Sequence, residues 1–366
     1  MAAQPIRAGV VGAGTISNTH LSALANHPQT ELVGICDLDK DRARTAAREH
    51  DIKAVYDIDD LLAQNLDLLH ICTSVQSHLP LAKSAIEVGT AVLIEKPVTT
   101  TVEEVEELMT HAETYGVAAS VVHQHLFSPA MREARQMIRS GKLGEIRSVD
   151  LLYMGLTRPD EAHRGEWVFD LPGGEFEEGL PHPIYMTLGI GGYPRSTDDI
   201  NAVTSLVGDY EQDFAYDNAN VQYVAENGAL CSVKMCSNGQ PQRLMHIHGE
   251  SGSLLVDQTT QSVVRIDRDY TSSNLTKARK NLDVSADLVK GLLQNGRLMV
   301  DRQMNDDWDT QKKSSPHSMQ IDQMVRAVRH GSEPPVPLEE GKWTLEIMQT
   351  IRDAAVEQDV EKQPIR

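Results

Sequence analysis

Apolar and polar residues along the first hundred positions form short blocks that predict strands and helices in strict alternation. Between the apolar runs lie stretches whose apolar residues recur with helical spacing. The runs predicted as buried strands are Ile6–Val11, Leu32–Cys36, Ala54–Tyr56, Leu68–Cys72 and Ala91–Ile94. The helices predicted between them are Asp41–His50, Ile58–Ala63 and Leu81–Val88. Because such alternation requires right-handed crossovers and a parallel sheet covered on both faces, the sequence predicts a doubly wound α/β domain.

After residue 146 the pattern changes to strand-like runs without intervening helices, which favours an antiparallel sheet. These runs are Ser148–Met154, Ala219–Val224, Leu230–Met235, Leu244–Gly249 and Ser253–Val256. Two helices are predicted near the end, Met319–Arg329 and Trp343–Val356, with Pro334–Pro335 breaking the chain between them. Because a domain averages roughly 150 residues, the 366 residues indicate two domains, which we place at residues 1–124 and 125–366.

A polar, charged stretch at residues 272–315 interrupts the second domain and contains an amphipathic segment, Leu282–Leu298. It has no low-complexity repeat. An insertion of this kind serves either as a lid or as part of a subunit contact, and the sequence leaves both open.

A glycine turn follows the first predicted strand. Gly12-Ala13-Gly14-Thr15-Ile16-Ser17 stands between that strand and an amphipathic stretch, which is the context of a dinucleotide fingerprint. Gly12 permits a tight turn, and Gly14 lets the backbone approach a pyrophosphate without a Cβ in the way. A helix that opens at about Thr15 points free N–H groups at the phosphates, so Thr15 and Ile16 are candidate cofactor contacts. Ser17 stands where a third glycine usually packs the helix on the strand.

Asp37 ends the second strand a little over 20 residues beyond the glycines, where a carboxylate accepts both hydroxyls of an adenosine ribose. The same carboxylate repels a 2′-phosphate, so the sequence predicts NAD as the cofactor. Arg42 and Arg44 lie just downstream and leave NADP possible. The competing interpretation of Asp37 is a helix N-cap for the segment from Lys40 onward.

Two further strand ends carry candidate binding residues. Thr73 to His78 follow the fourth strand, and Glu95-Lys96-Pro97 follows the fifth. Because the carboxyl ends of the strands line the ligand crevice of an open α/β sheet, we expect Thr73, His78 and Glu95 to lie beside the cofactor. Pro97 restricts the backbone of Lys96 and is compatible with a cis peptide. A cation held at this edge can hydrogen-bond a substrate oxygen on which charge develops, and the competing interpretation is an ordinary surface lysine.

The charge of the chain restricts its partners. It has 34 basic and 53 acidic side chains and a formal net charge of −19, with the acid spread along the whole sequence. A polyanion would be repelled, so we expect neither nucleic acid nor an anionic membrane surface as a partner. No run reaches the roughly 18 apolar residues of a membrane span, and no signal segment is apparent, so a cytoplasmic location is expected. The acidity fits either a merely acidic protein or one of an acidic proteome adapted to a salt-rich cytosol.

The sequence predicts neither a metal site nor a disulfide framework. Its four cysteines are scattered and form no CxxC pair, so we expect reduced structural thiols. His246 and His248 share a face of a strand, but a metal would need a third ligand that the sequence does not provide. A solvated or interface pair of histidines is favoured.

These residues together make the chain resemble the glucose–fructose oxidoreductase/inositol dehydrogenase (Gfo/Idh/MocA) family. The resemblance spans nearly the whole chain. The motifs that carry it are Gly12-x-Gly14, Asp37, Thr73…His78, Glu95-Lys96-Pro97, Leu126-Phe127-Ser128-Pro129, Gly141 to Ile146, Trp167…Gly173-Gly174 and Gly331 to Val336. It implies an N-terminal Rossmann domain and a C-terminal α+β domain with a large, mostly antiparallel sheet. It also implies oxidation or reduction at a carbinol of a sugar or cyclitol, and a homodimer or homotetramer formed through that sheet.

The resemblance also suggests the group that transfers the proton. Removing a hydride from a carbinol requires a base for the hydroxyl proton, and imidazole suits this task near neutral pH. The family carries an Asp and, four residues later, a His after paired glycines; counting from Gly173-Gly174 places Glu178 and His182 at those positions. We therefore expect His182 as general base, Lys96 as its electrostatic partner and Glu178 as an orienting group. The competing interpretation of His182 is a helix-entry histidine without a chemical role.

The same segment departs from the family pattern. Gly179 and Pro181 make a continuous helix through Glu178 and His182 unfavourable, so a helix is expected to begin only at Pro183. Tyr185 falls where many relatives have another polar residue, and its hydroxyl could donate to a substrate hydroxyl.

Three functions fit these features. The first is an NAD(P)-dependent dehydrogenase of a sugar, sugar acid or cyclitol, with a small carbohydrate as its partner. The second is a glycosidase that uses NAD for a transient oxidation, and the third is a non-catalytic sugar sensor. Lys96-Pro97 and His182 count against the sensor, since it needs neither.

Overall fold

The computed structural model describes residues 4–266, 274–305 and 307–361, and the chain divides into two compact units. The first comprises Met1–Phe127 with Leu298–Lys342, and the second comprises Ser128–Arg297 with Trp343–Arg366. The sequence placed everything from residue 125 onward in one second domain. The structure instead groups residues 298–342 with the first unit.

The first 121 residues form strands and helices in alternation. They are β1 (Ile6–Val11), α1 (Ser17–Asn26), β2 (Thr30–Cys36), α2 (Lys40–His50), β3 (Lys53–Val55), α3 (Ile58–Leu62), β4 (Leu68–Ile71), α4 (His78–Glu87), β5 (Ala91–Ile94), α5 (Val102–Tyr115) and β6 (Ala119–Val121). The strand order is β3-β2-β1-β4-β5-β6, and every neighbouring pair is parallel. The predicted doubly wound parallel sheet is confirmed. The sequence did not predict α5 or β6; the three residues of β6 are too few for a clear pattern.

The second unit contains a seven-stranded sheet. Its elements, with the long helix that follows them, are α6 (Pro129–Arg139), β7 (Ile146–Leu156), α7 (Gly174–Gly179), α8 (Pro181–Gly191), β8 (Asn201–Ser205), β9 (Asn218–Val224), β10 (Leu230–Ser237), β11 (Gln242–Gly249), β12 (Ser253–Asp257), β13 (Ser262–Ile266) and α9 (Asn274–Met304). The strand order is β13-β12-β11-β7-β10-β9-β8, and only β7 and β10 pair in parallel. The predicted mostly antiparallel sheet is therefore confirmed, while β8 and β13 were not predicted.

Three helices end the described chain: α10 (Trp308–Ser314), α11 (Pro316–His330) and α12 (Leu338–Glu361). The last two confirm the helices predicted on either side of the proline pair. The helices α9 and α10 occupy the predicted insertion, of which residues 272, 273 and 306 lie outside the described residues. Within the part of the chain that is described, no helix is both long and apolar enough to span a bilayer.

The helix α11 covers the edge of the first sheet at β6. The amide of Gln320 donates to the carbonyl of Val121 (2.7 Å) and accepts from the backbone N–H of His123 (3.0 Å). The hydroxyl of Ser120 donates to the carbonyl of Val336 (2.7 Å). An edge strand left with unpaired backbone groups is a liability, and Gln320 satisfies the Val121 carbonyl of β6 and the His123 N–H just beyond it. This is why residues 298–342 belong to the first unit.

All four cysteines are buried and unpaired, as the sequence predicted. Burial raises the pKa of the Cys36 and Cys231 thiols to about 11, so both stay protonated at neutral pH. They act as small apolar groups inside the two sheets.

His317, on α11, gives the first unit a pH-dependent stability. Burial is the main cause that lowers the pKa of its imidazole to about 4, and its Nε2 has no hydrogen-bond partner among the described residues. Between pH 6.5 and 4 the unfolded chain therefore binds a proton here that the folded chain does not, which favours unfolding as the pH falls.

We expect His317→Gln to remove this loss of stability at low pH. When the pH is lowered from 7 to 5, the unfolding free energy of the variant should rise by about 1–2 kcal/mol relative to that of wild type. Urea denaturation at both pH values measures the difference between the two proteins, which cancels the contributions of their other histidines. A difference that does not change with pH would contradict the expectation.

Candidate functional site

The glycine turn after β1 packs against the end of β4. Gly12 has a φ of +93°, and a Cβ added there would lie 2.6 Å from the carbonyl oxygen of Cys72. A Cβ added to Gly14 would meet nothing within 4 Å. The buried Ser17 donates its hydroxyl to the carbonyl of Gly14 (2.6 Å) and begins α1. The turn therefore leaves open space above Gly14, whereas Gly12 has none.

The remaining turn residues are not among those that line the cavity over the turn. Thr15 is exposed and Ile16 is half-buried, and both precede α1. The helix begins at Ser17, two residues later than the sequence predicted. The turn therefore presents backbone N–H groups to a ligand, and such donors suit an anionic group.

A cavity of about 490 Å³ lies over this turn. It is lined by the two glycines, by the ends of β2 and β4, and by the loops after them: Val11, Gly12, Gly14, Cys36, Asp37, Leu38, Arg42, Tyr56, Asp57, Ile58, Cys72, Thr73, Ser74, Ser77 and Leu81. Its volume is in the range of small-ligand pockets. The open space above Gly14 and a carboxylate on the wall fit a dinucleotide.

Asp37 is held in place by the backbone. Its Oδ2 accepts the N–H of Ala13 (2.7 Å), and its Oδ1 accepts the N–H of Asp39 (2.7 Å). The N-cap of α2 is Asp39, whose carboxylate accepts the N–H groups of Asp41 and Arg42. The capping role that competed for Asp37 therefore belongs to Asp39.

A cation stands beside this carboxylate. Arg42 lines the same cavity, with its Nη2 lying 3.5 Å from Oδ1 of Asp37 and its side chain 59% exposed. Arg44, the other downstream arginine, bonds the Tyr56 hydroxyl and is not among the lining residues.

His78 lies inside the protein rather than on the cavity wall, where the sequence expected it. Its Nε2 faces the carbonyl of Thr73 (3.1 Å), and its Nδ1 faces the carbonyl of Pro97 (3.0 Å) and that of Val98 (3.3 Å). Burial, opposed by these carbonyls, lowers the pKa of its imidazole. The imidazole therefore lies between the loop after β4 and the loop after β5, with a ring nitrogen directed at a carbonyl of each.

Glu95 is likewise buried, not exposed to a ligand as the sequence expected. Its Oε1 lies 2.9 Å from Nε2 of His20, and its Oε2 accepts the backbone N–H of Lys96 (3.2 Å). Burial opposes its charge, but the hydrogen bond and the charge of His20 lower the pKa of the carboxyl. Lys96 is half-buried, and its peptide bond to Pro97 is cis.

In the second unit, the structure distinguishes two neighbouring glutamates. Glu177 is fully buried: its Oε2 accepts the Gly173 N–H (2.9 Å) and the Tyr216 hydroxyl (2.7 Å), and its Oε1 pairs with Arg352 (2.7 Å). Glu178 is half-buried and has its Oε2 3.8 Å from Nε of Arg164. Glu177 therefore holds α7 to α12, and Glu178 is the one that solvent reaches.

The backbone between α7 and α8 stays helical, against the expectation from Gly179 and Pro181. Leu180, the residue between the two helices, has φ −62° and ψ −31°, and α8 begins at Pro181 rather than at Pro183. Pro181 stands at the first position of a new helix, where its missing N–H costs nothing. Positions 178 and 182 are therefore one helical turn apart.

His182 is half-buried and points Nδ1 at the buried Tyr185 hydroxyl (3.0 Å). The sequence suggested that Tyr185 could donate to a substrate; in the structure its hydroxyl contacts the imidazole. When Nδ1–H donates to the tyrosine oxygen, Nε2 keeps a lone pair that can accept a proton.

The sequence assigned no role to Arg164, whose side chain lies near Glu178. Arg164 has a half-exposed guanidinium, and the indole N–H of Trp167 donates to the carbonyl of Arg164 (2.9 Å), leaving the indole 47% exposed. Gly165, with φ +108°, bends the chain between them. No spacing in the sequence signals that Arg164 lies beside Glu178.

No cluster of three or more His, Cys, Asp or Glu suited to a metal occurs among residues 4–266, 274–305 and 307–361. The rings of His246 and His248 lie 3.9 Å apart on β11, with Nε2 of His248 3.8 Å from Oδ2 of Asp150.

Comparison with known families identifies both halves of the chain. Residues 6–123 match the family model described as "Oxidoreductase family, NAD-binding Rossmann fold". Residues 131–255 match the model of the GFO/IDH/MocA C-terminal domain. Together the two ranges span well over half of the chain.

Individual relatives are distant. An uncharacterized oxidoreductase of Bacillus subtilis, YrbE, is 24% identical over 269 residues, 70% of this chain and 75% of that protein. The D-glucoside 3-dehydrogenase of Escherichia coli is 29% identical over 149 residues, 40% of this chain and 42% of that protein. The solved structure of the WlbA dehydrogenase from Bordetella pertussis, in complex with NADH and UDP-GlcNAcA, has a TM-score of 0.73 at 20% identity and covers 98% of this chain and 97% of its own. At this identity the likeness shows the fold.

The two glycines of the turn should respond differently to alanine. Gly12→Ala places a Cβ against the Cys72 backbone at a positive φ and should lower the unfolding free energy by about 2–4 kcal/mol. Gly14→Ala should leave stability within about 0.5 kcal/mol of wild type. It should weaken NAD binding at least about tenfold, because the methyl group occupies the space above the turn. Thermal denaturation and calorimetric titration with NAD measure both; equal destabilisation by the two changes, or unaltered NAD affinity in Gly14→Ala, would contradict this assignment.

Proposed function

Because this chain belongs to the Gfo/Idh/MocA oxidoreductase family and its N-terminal part is an NAD-binding Rossmann domain, we propose that it is a dehydrogenase of a sugar, sugar acid or cyclitol. The reaction is the oxidation of a carbinol to a carbonyl, or the reverse. The relative with D-glucoside 3-dehydrogenase activity supports a carbohydrate substrate.

One observation carries this proposal. The glycine turn, Thr73 and Lys96 follow β1, β4 and β5, which are three adjacent strands of one parallel sheet. A ligand crevice in such a sheet lies at the carboxyl ends of its strands. The cofactor cavity and Lys96 therefore lie at the same edge of the sheet. A lysine at this edge can donate a hydrogen bond to an alcohol oxygen of a substrate bound beside the cofactor.

We assign the cofactor contacts to residues that line the cavity and to the backbone of the glycine turn. The N–H groups of the turn and of the residues that lead into α1, Thr15 and Ile16, would hold the pyrophosphate. Asp37 accepts the ribose hydroxyls, and Thr73 lies along the same wall. His78 and Glu95 do not contact the cofactor in this assignment; they stabilise the loops after β4 and β5 through contacts with backbone groups.

NAD, when bound, supplies the hydride acceptor. The ammonium of Lys96 donates a hydrogen bond to the substrate oxygen and stabilises the negative charge that grows on it as the C–H bond breaks. Nε2 of His182 takes the hydroxyl proton, with Nδ1–H donating to Tyr185 to fix the ring. Glu178 and the neighbouring Arg164 orient the substrate hydroxyls or a carboxylate.

Asp37→Ala should relax the preference for NAD over NADP. We expect the Kd for NAD to rise about tenfold and the ratio of the two affinities to fall at least about tenfold, because both the ribose acceptor and the repulsion of the 2′-phosphate are lost. Calorimetric titration with each dinucleotide measures this. Asp41→Ala, at a side chain that is 94% exposed on α2, is the matched control and should change neither affinity. An unaltered ratio in Asp37→Ala would remove the ribose assignment.

The proposed activity is tested with a panel of aldoses, sugar acids and inositols, in which NADH absorbance follows turnover. With the best substrate, Lys96→Ala should lower kcat by about 10²–10³-fold while the Kd for NAD changes less than about threefold. Lys83→Ala, at a partly exposed lysine on α4 that pairs with Glu107, is the control and should retain turnover.

The outcomes of the panel separate the candidate functions. Stoichiometric NADH supports the dehydrogenase. Release of free sugar from a glycoside without net NADH identifies the NAD-using glycosidase instead. Full turnover in Lys96→Ala would end the catalytic role of that lysine.

A further inference from the structure

The long helix α9 carries an apolar face that the rest of the described chain does not cover. Gly291, the buried residue of this helix, packs on β13, where a Cβ added to it would lie 2.9 Å from Cβ of Ser262. With 3.6 residues per turn, the side opposite Gly291 carries six large apolar side chains that are 48–83% exposed. They are Leu275, Leu282, Val289, Leu293, Val300 and Met304. An exposed apolar surface along a helix of 31 residues is typical of an interaction site.

Polar contacts hold α9 against the second unit. Oδ2 of Asp287 accepts the backbone N–H of Arg265 on β13 (3.0 Å). Nζ of Lys290 donates to Oε1 of Glu133 on α6 (2.6 Å), so the charge of Lys290 is balanced within the chain. The apolar face therefore belongs to a helix that is already held in place, and a partner that binds this face has little further ordering to overcome.

Four charged residues follow one flank of the apolar face. Helical spacing places two charges of each sign on this flank, namely Arg279, Asp283, Arg297 and Asp301. Lys290 stands midway along the chain between Arg279 and Asp301. It also stands midway between Asp283 and Arg297. When two α9 helices pack antiparallel about Lys290, Arg279 of each copy therefore lies opposite Asp301 of the other. Asp283 lies opposite Arg297 in the same way, and the two-fold axis produces each pair of opposite charges twice.

The apolar residues fit the same antiparallel arrangement. Leu293 of one copy lies opposite Ala286 of the other, and Leu282 lies opposite Gly296. Large side chains therefore face small ones, which lets the two helices approach closely. A parallel pair lacks both matches, because each residue then meets its own copy. Its charged flank would face the other flank of α9, which carries asparagine, serine and leucine side chains.

The remaining charges of α9 argue against a lipid surface as the occupant. An amphipathic helix that lies on a membrane has an excess of basic residues around its apolar face. In α9 the flank charges cancel, and the other basic residues, such as Lys277, Lys280 and Arg302, lie on the side of Gly291. The apolar face with a neutral, two-signed flank therefore favours a protein partner with the same pattern.

We propose that α9 is a self-association surface, at which the α9 helices of two copies of this chain pack antiparallel across a two-fold axis near Lys290. Of the two roles open to the insertion, this is the subunit contact rather than the lid. The contact does not involve the strands of the second sheet and does not depend on the proposed activity. Any assembly formed through that sheet is therefore doubled in size by α9.

The first test measures mass by sedimentation equilibrium of the full chain over about a hundredfold range of concentration. Val289→Glu buries a carboxylate at the centre of the contact, so the average mass should fall about twofold relative to wild type. Val88→Glu, at an exposed valine at the end of α4, is the matched control and should keep the wild-type mass. A wild-type protein that is monomeric throughout, or an equal loss of mass in both variants, would overturn the proposal.

Exchanging the charges tests the antiparallel register. Arg297→Asp places a carboxylate opposite Asp283 of the partner subunit and should raise the Kd of the α9 contact at least about tenfold. Adding Asp283→Arg restores opposite charges, so the double variant should return to within about threefold of wild type. These side chains lie on the surface, so the comparison stays available if Val289→Glu does not fold. A double variant that associates no better than Arg297→Asp would overturn the proposal.

Disulfide cross-linking tests the same register covalently. A chain with both Leu282→Cys and Met299→Cys should form covalent dimers on mild oxidation, because these two positions lie opposite each other across the axis near Lys290. Either change alone should give no covalent dimer, since each position is then far from its own copy. The four native cysteines are buried and stay unreacted. Cross-linking by the single variants, which a parallel pair would give, contradicts the assignment.

Two further measurements distinguish the other occupants. Flotation of the wild-type protein, but not of Val289→Glu, with phosphatidylglycerol vesicles would identify a lipid surface. A changed KM for the carbohydrate substrate in Val289→Glu at an unchanged mass would identify a lid. Either result would overturn the proposal, whereas a protein that neither floats nor loses mass in Val88→Glu but dissociates in Val289→Glu supports it.

Discussion

The close contact between the turn after β1 and the end of β4 is the constraint on which the first unit depends. The Cys72 N–H donates to the Val11 carbonyl and the Gly12 N–H to the Cys36 carbonyl, both at 2.8 Å, so the turn joins three strands at one edge. No side chain fits at Gly12. Because Gly12 has none, the backbone of the turn packs directly against the end of β4 and forms the floor of the cavity. The positions of Asp37 and Thr73 on its walls follow from the same contact.

Buried histidines organise the loops at this edge in two ways. The imidazole of His78 lies between two loops, with a ring nitrogen directed at a carbonyl of each. Nε2 of His20 lies 2.9 Å from Oε1 of Glu95, and Oε2 of the same carboxylate accepts the backbone N–H of Lys96. One histidine therefore contacts backbone carbonyl groups, and the other contacts the carboxylate that bonds the backbone before Pro97.

The sequence predicted what depends on local patterns and missed what depends on distant pairs. The parallel sheet, the glycine turn and the proximity of Asp37 to that turn follow from apolar runs and short spacings, and the structure contains them. The inward position of His78 and the pairing of Glu95 with His20 depend on which face of an element is buried, which spacing does not give. The pair formed by Glu177 and Arg352 joins residues 175 positions apart, and no local pattern signals it. The helical backbone at Leu180 departs from the prediction because Pro181 begins a helix instead of breaking one.

The cover that α11 provides for β6 has a consequence for biosynthesis. Gln320 reaches His123 and Val121 across 197 and 199 residues, so a ribosome delivers the strands of the first sheet long before the helix that seals their edge. At the usual pace of translation of about 5–20 residues per second, the nascent chain waits roughly 10–40 seconds in this state. During that interval the whole second sheet is synthesised. The β6 edge therefore stays without the cover of α11 until translation passes residue 330.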